Sequence, residues 1–92
     1  MTVEQIAKTL KVDSKTLERE GLKLYLEQRL KIVETEIFRI TQKYGIKTAE
    51  EFDEKIKDGK IKEKDNWGNF FELDNLEAER ENLVKILKEL NA

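Results

Sequence analysis

Two heptad seams constrain this chain more than any other feature. Leu26, Leu30, Val33, Ile37, Ile40 and Tyr44 are spaced 4, 3, 4, 3, 4. At that spacing side chains stack along one face of a helix and mate with a facing helix. Leu73, Leu76, Arg80, Leu83, Leu87 and Leu90 are spaced 3, 4, 3, 4, 3, a second seam with one polar interruption. The two seams span about 27 Å and about 26 Å of helix, so their lengths agree. No proline occurs in 92 residues, so nothing forces the backbone out of helix. The predicted fold is all-α: a long antiparallel helical hairpin, coiled-coil-like, with a short N-terminal helix-turn-helix-like cap and a short helix in the connector.

The remaining elements follow from local signals. Thr2-Val3-Glu4-Gln5 reads as a capping box, opening a short helix over about 3–10 whose apolar face is Val3, Ile6, Ala7 and Leu10. Asp13 or Ser14 caps the next helix, which runs from about 15 to 44. Gly21 either bends that helix or admits a neighbouring backbone, and Leu17 and Leu24 favour continuity across it. Gly45 stands where a left-handed C-cap belongs, with Ile46 placed to fold back. Thr48 and Glu51 form a second capping box ahead of a short helix carrying Phe52 and Ile56. Residues 60–66 read as a charged connector, and the last helix is placed at about 72–90. The chain divides as one domain over 1–92: a cap at 1–20, the long helix at 21–45, the connector at 46–71 and the terminal helix at 72–91.

Composition removes most chemistry. The chain has no Cys and no His, which excludes disulfides, a thiol nucleophile and histidine acid–base or metal chemistry. Glu50, Glu51, Asp53 and Glu54 sit where the dipole of a helix start favours acids. Glu34 and Glu36 lack the Glu-x-x-His partner of a bundle di-metal site. The acidic set around Asp65, Glu72, Asp74 and Glu77 lacks calcium-loop spacing. The expectation is no enzyme, no metal and no cofactor. With no long apolar run and no signal-peptide core, the expected address is the cytoplasm, without membrane contact.

Both helical faces are broader than a two-helix pair can cover, because Leu24, Ile32 and Phe38 widen the first and Val84 and Ile86 the second. A partner is therefore expected, a homodimer first. The candidate protein interface is Leu26, Leu30, Val33, Ile37, Ile40, Trp67, Phe70, Phe71 and Arg80. Arg80 would either pair with Glu34 or Glu36 or extend to the rim. The aromatic cluster of Trp67, Phe70 and Phe71 suits a hot spot or the seal of the hairpin's open end, and Phe52 and Ile56, available to pack there, favour the seal. Residues 1–31 hold 7 Lys/Arg against 5 Asp/Glu in a chain of net charge -2. Lys8, Lys11, Lys15 and Arg19 are accordingly the candidate DNA contacts if the first two helices work as a helix–turn–helix. Glu18 and Glu20 interrupt that basic face, and Lys11 replaces the usual turn glycine.

The run from Ile6 to Leu30, with Glu20-Gly21-Leu22-Lys23-Leu24-Tyr25-Leu26 leading into a charged helix, resembles small prokaryotic antitoxin components of toxin–antitoxin pairs. The Tyr44-Gly45-Ile46-Lys47 turn, the Phe52 helix and the Trp67–Phe71 junction resemble uncharacterised archaeal proteins of similar length. The antitoxin resemblance implies an N-terminal part that dimerises or touches operator DNA through Lys11, Lys15 and Arg19. It also implies a C-terminal part that grips a toxin through Trp67, Phe70 and Phe71. The functional expectation is a non-catalytic, self-associating interaction module, antitoxin-like. Its alternatives are a dimeric DNA-binding regulator and a purely structural coiled-coil adaptor.

Overall fold

The computed structural model describes residues 1–62 and 66–92. The stretch 63–65 of the expected connector, with Asp65 of the acidic set, lies outside the described residues. Among those described the secondary structure is entirely helical: α1 (Val3–Leu10), α2 (Ser14–Tyr44), α3 (Ala49–Lys57) and α4 (Trp67–Leu90).

Local chemistry sets these boundaries. The Thr2 amide donates to Gln5 Oε1 at 2.8 Å and the Gln5 amide to Thr2 Oγ1 at 3.2 Å, closing the capping box. Asp13 caps α2, accepting from the Thr16 amide at 3.0 Å. Gly45 ends α2 at φ 63, left-handed as its position requires. The Ile46 amide then donates to the Thr41 carbonyl at 3.0 Å, which turns Ile46 into the core at 5% exposure. Thr48 caps α3 by accepting from the Glu51 amide. The reciprocal bond differs from the expected box, because Glu51 accepts from the Lys47 amide rather than from Thr48.

One boundary corrects the sequence reading, and one agrees with it. α4 begins at Trp67 rather than near 72, so the aromatic cluster belongs to its first turns and the connector is shorter. Gly68 and Asn69 sit inside the helix, and local propensity gives way there to packing of Trp67 and Phe70 on neighbouring rings. α2 is unbroken through Gly21, and a Cβ built there would meet nothing within 4 Å. No backbone crosses at that point.

α2 and α4 lie side by side in opposite directions. Arg19 reaches Leu90, Arg29 reaches Glu79 and Arg39 reaches Glu72. The chain measures 61 × 26 × 16 Å. Its core is gathered at one end, where Val33, Ile37 and Ile40 of α2 meet Leu73 and Leu83 of α4, with Ile46 and α3's Phe52 and Ile56 closing over them. Tyr44 stacks on Phe52 at 4.5 Å between centroids and Phe70 meets Phe52 edge-on at 6.2 Å. The Tyr44 hydroxyl donates to Asn66 Oδ1 at 2.6 Å and accepts from the Asn69 amide, so the polar tip of this aromatic group is satisfied. The other end is thin. α1 packs on α2 with only Ala7 buried. No described helix is long and apolar enough to cross a membrane.

Candidate interaction surface

The α2–α4 pair has two flanks, and they are closed differently. α3 covers part of one. The other is laced by charge. Arg39 bridges Glu36 at 3.0 Å and Glu72 at 2.9 Å. Toward the α1 end, seven residues beyond Glu72 along α4, Glu79 is gripped by Arg29 through two bonds of 2.5 and 2.8 Å. Bidentate pairing of this kind fixes the geometry more firmly than a single charge-assisted bond does. The pair holds the Glu79 carboxyl below its ordinary value of 4.5, chiefly by hydrogen bonding from Arg29.

That shift has a definite sign. A carboxyl whose folded pKa is depressed contributes stability present above its unfolded value and lost as pH falls through the folded one. We expect Glu79→Gln to lower Tm at neutral pH, with the gap to the parent closing as pH drops below 4.5. Thermal unfolding followed by circular dichroism at several pH values reads this directly. A gap independent of pH would assign Glu79 a packing role only. The pair is half-exposed, so the effect is small.

One heptad further, the ladder changes character. Seven residues before Arg29 stands Leu22, and seven residues after Glu79 stands Ile86. A heptad step returns to nearly the same helix face, so these two occupy the positions where a third ion pair would sit. They are instead apolar and exposed, at 49% and 42%. Val3 and Ile6 of α1 and Leu17, Glu18, Gly21, Leu22 and Tyr25 of α2 line an open groove whose exposed walls are nearly all apolar. These apolar groups share one groove rather than being scattered singly, which makes it the candidate contact surface.

The sequence-nominated residues fall into three sets. Val33, Ile37 and Ile40 are buried inside the chain, with Leu26 and Leu30 packed against them. In this structure they hold α2 to α4 and α3. Trp67 and Phe70 also pack on the core, whereas Phe71 stays 57% exposed. Arg80 makes no ion pair among the described residues. It lines a charged cleft between α3 and α4 with Glu77, Glu81 and Val84, and Glu36 is taken by Arg39. Of the basic set, Arg19 donates to the Leu90 carbonyl at 3.1 Å, satisfying a free acceptor at the α4 C-terminus. Lys8 and Lys15 are exposed, and Lys11 forms the left-handed turn at φ 60.

The sequence reading places Val3 and Ile6 on the apolar face of the first helix and names Leu22 only within the run that carries the resemblance. It does not nominate them, Tyr25 or Ile86 as interface. The register signal is present: Leu22 and Arg29 share one helix face, and so do Glu79 and Ile86. What the sequence lacks is the pairing of Arg29 with Glu79, which only the folded chain supplies. Among the described residues no three carboxylates are grouped to hold a metal ion.

An all-helical chain with an apolar groove on a charge-laced flank is the class of protein these observations define. It belongs to the Uncharacterized protein MJ0235 family, whose model matches residues 1–92. The uncharacterised protein MJ0235 of Methanocaldococcus jannaschii is 36% identical over 69 residues, covering 75% of this chain and 83% of that relative. No solved structure matches the chain.

Proposed function

We propose that this chain is a non-catalytic protein-interaction module that self-associates, built as a coiled-coil-like antiparallel hairpin with a helix–turn–helix-like cap at its thin end. One observation carries the reading: the apolar groove at the α1 end, where Val3, Ile6, Leu22 and Tyr25 all remain exposed. Leaving that much apolar surface in water forgoes about 25 cal/mol for each Å² that a partner would cover. The chain's main core lies toward the opposite end, and at the groove end only Ala7 of α1 is buried.

The narrower antitoxin reading rests on the N-terminal resemblance, and within the Trp67, Phe70 and Phe71 cluster it would draw on the exposed Phe71. The DNA reading draws on Lys8, Lys11 and Lys15. It is weakened by the engagement of Arg19 with the end of α4. Light scattering over a dilution series tests the main proposal. The expected result is a species of twice 10.9 kDa that dissociates at low concentration. A folded monomer at every concentration overturns self-association.

A further inference from the structure

The proposed self-association leaves open which surface two copies share, and the residues of α2 answer that. Glu18, Leu22, Tyr25 and Arg29 are spaced 4, 3, 4 along α2, so they form one short seam. The spacing reads the same in both directions. If two α2 helices cross antiparallel about a two-fold axis between Leu22 and Tyr25, Leu22 faces the second copy's Tyr25. By the same symmetry Glu18 faces the second copy's Arg29. Both contacts occur twice, as an isologous interface requires.

The chemistry at each end fits. Arg29 spends Nε and Nη2 on Glu79, which leaves its Nη1 donors for a second carboxylate. Glu18 has no ion pair among the described residues and lines the groove beside Leu22 and Tyr25. Ile32, exposed and seven residues beyond Tyr25, falls opposite residue 15 of the second copy, next to the α1–α2 turn where Val12 is also exposed. The overlap covers residues 14–33, about 30 Å of helix. With both α1 helices added, it has the length to approach the roughly 800 Å² per partner of a standard interface.

We infer that a second copy of this chain occupies the α1–α2 groove, its α2 antiparallel to the first, with Leu22 and Tyr25 at the centre and Glu18–Arg29 pairs on either side. A membrane surface would bury Glu18 without a counter-charge. A second copy brings Arg29 to meet it. This inference rests on the self-association reading and adds the surface and the register.

The test is sedimentation equilibrium on the full chain and on Leu22→Asp, Tyr25→Asp and, as control, Phe38→Asp, an exposed position on another face of α2. Each of the first two variants is expected to weaken self-association by roughly 100-fold with unchanged helical circular dichroism. The control should associate like the parent. A second arm uses the absence of cysteine. Under mild oxidation, an equimolar mixture of L22C and Y25C should form the mixed disulfide faster than either variant couples to itself. A dimer that resists both groove substitutions, or that couples 22 to 22 as readily as 22 to 25, overturns the surface or the register while leaving self-association standing. A monomeric parent overturns both.

Discussion

Replacing Phe52 by alanine should cost about 3–5 kcal/mol and lower Tm by roughly 15–30 °C in a chain of this size. Phe52 is fully buried and is the largest such side chain in the core. Its ring faces Tyr44 on α2 and Phe70 on α4, so it joins three helices at once. Neighbouring side chains cannot collapse into the space without moving α3, which is held by its own cap at Thr48 and by the bond from the Ala49 amide to Glu77 on α4. The cavity term is therefore felt in full. Phe71→Ala is the matched control, since that ring is 57% exposed, and its expected cost is within about 1 kcal/mol. Thermal unfolding of the two variants beside the parent decides the matter. Equal losses would mean that α3 is an appendage rather than the lid of the core.

Periodicity and capping make the helices legible in the sequence itself. The seam from Leu26 to Tyr44 contains Val33, Ile37 and Ile40, all three buried in the core, and Gly45 and Thr48 mark helix ends because their chemistry is local. The start of α4 is hidden for the opposite reason. Gly68 and Asn69 are weak helix formers, and only tertiary packing of Trp67 and Phe70 keeps them helical. The groove is hidden for a related reason. Val3 and Ile6 read as the packing face of the first helix from hydrophobicity alone, because an apolar stripe does not say whether its partner lies within the chain. That depends on how far α4 extends and where α1 leans. The Arg29–Glu79 pair joins residues 50 apart in sequence, and no local signal announces it.

The same distinction produces the largest contrast available within one helix. Ile40 and Phe38 are two residues apart on α2, yet Ile40 is fully buried and Phe38 is 63% exposed. An aspartate at 40 would place a carboxylate among Val33, Ile37, Phe52 and Leu73, a cluster of apolar groups. A buried charge without a partner either unfolds the site or takes up a proton, and both are costly. Ile40→Asp should therefore lose at least about 4 kcal/mol, enough to unfold most of the chain if its stability lies near the low end of the usual range of roughly 5–15 kcal/mol. What folding survives should improve as the solution is acidified, because protonation removes the charge. Phe38→Asp should stay within about 0.5 kcal/mol of the parent and show no such acid rescue. Urea unfolding of both variants at pH 7 and pH 4 separates the outcomes. A stable Ile40→Asp would mean that the α2–α4 seam opens readily in solution. In that case the seam, rather than the groove beside α1, would become the surface to test for a partner.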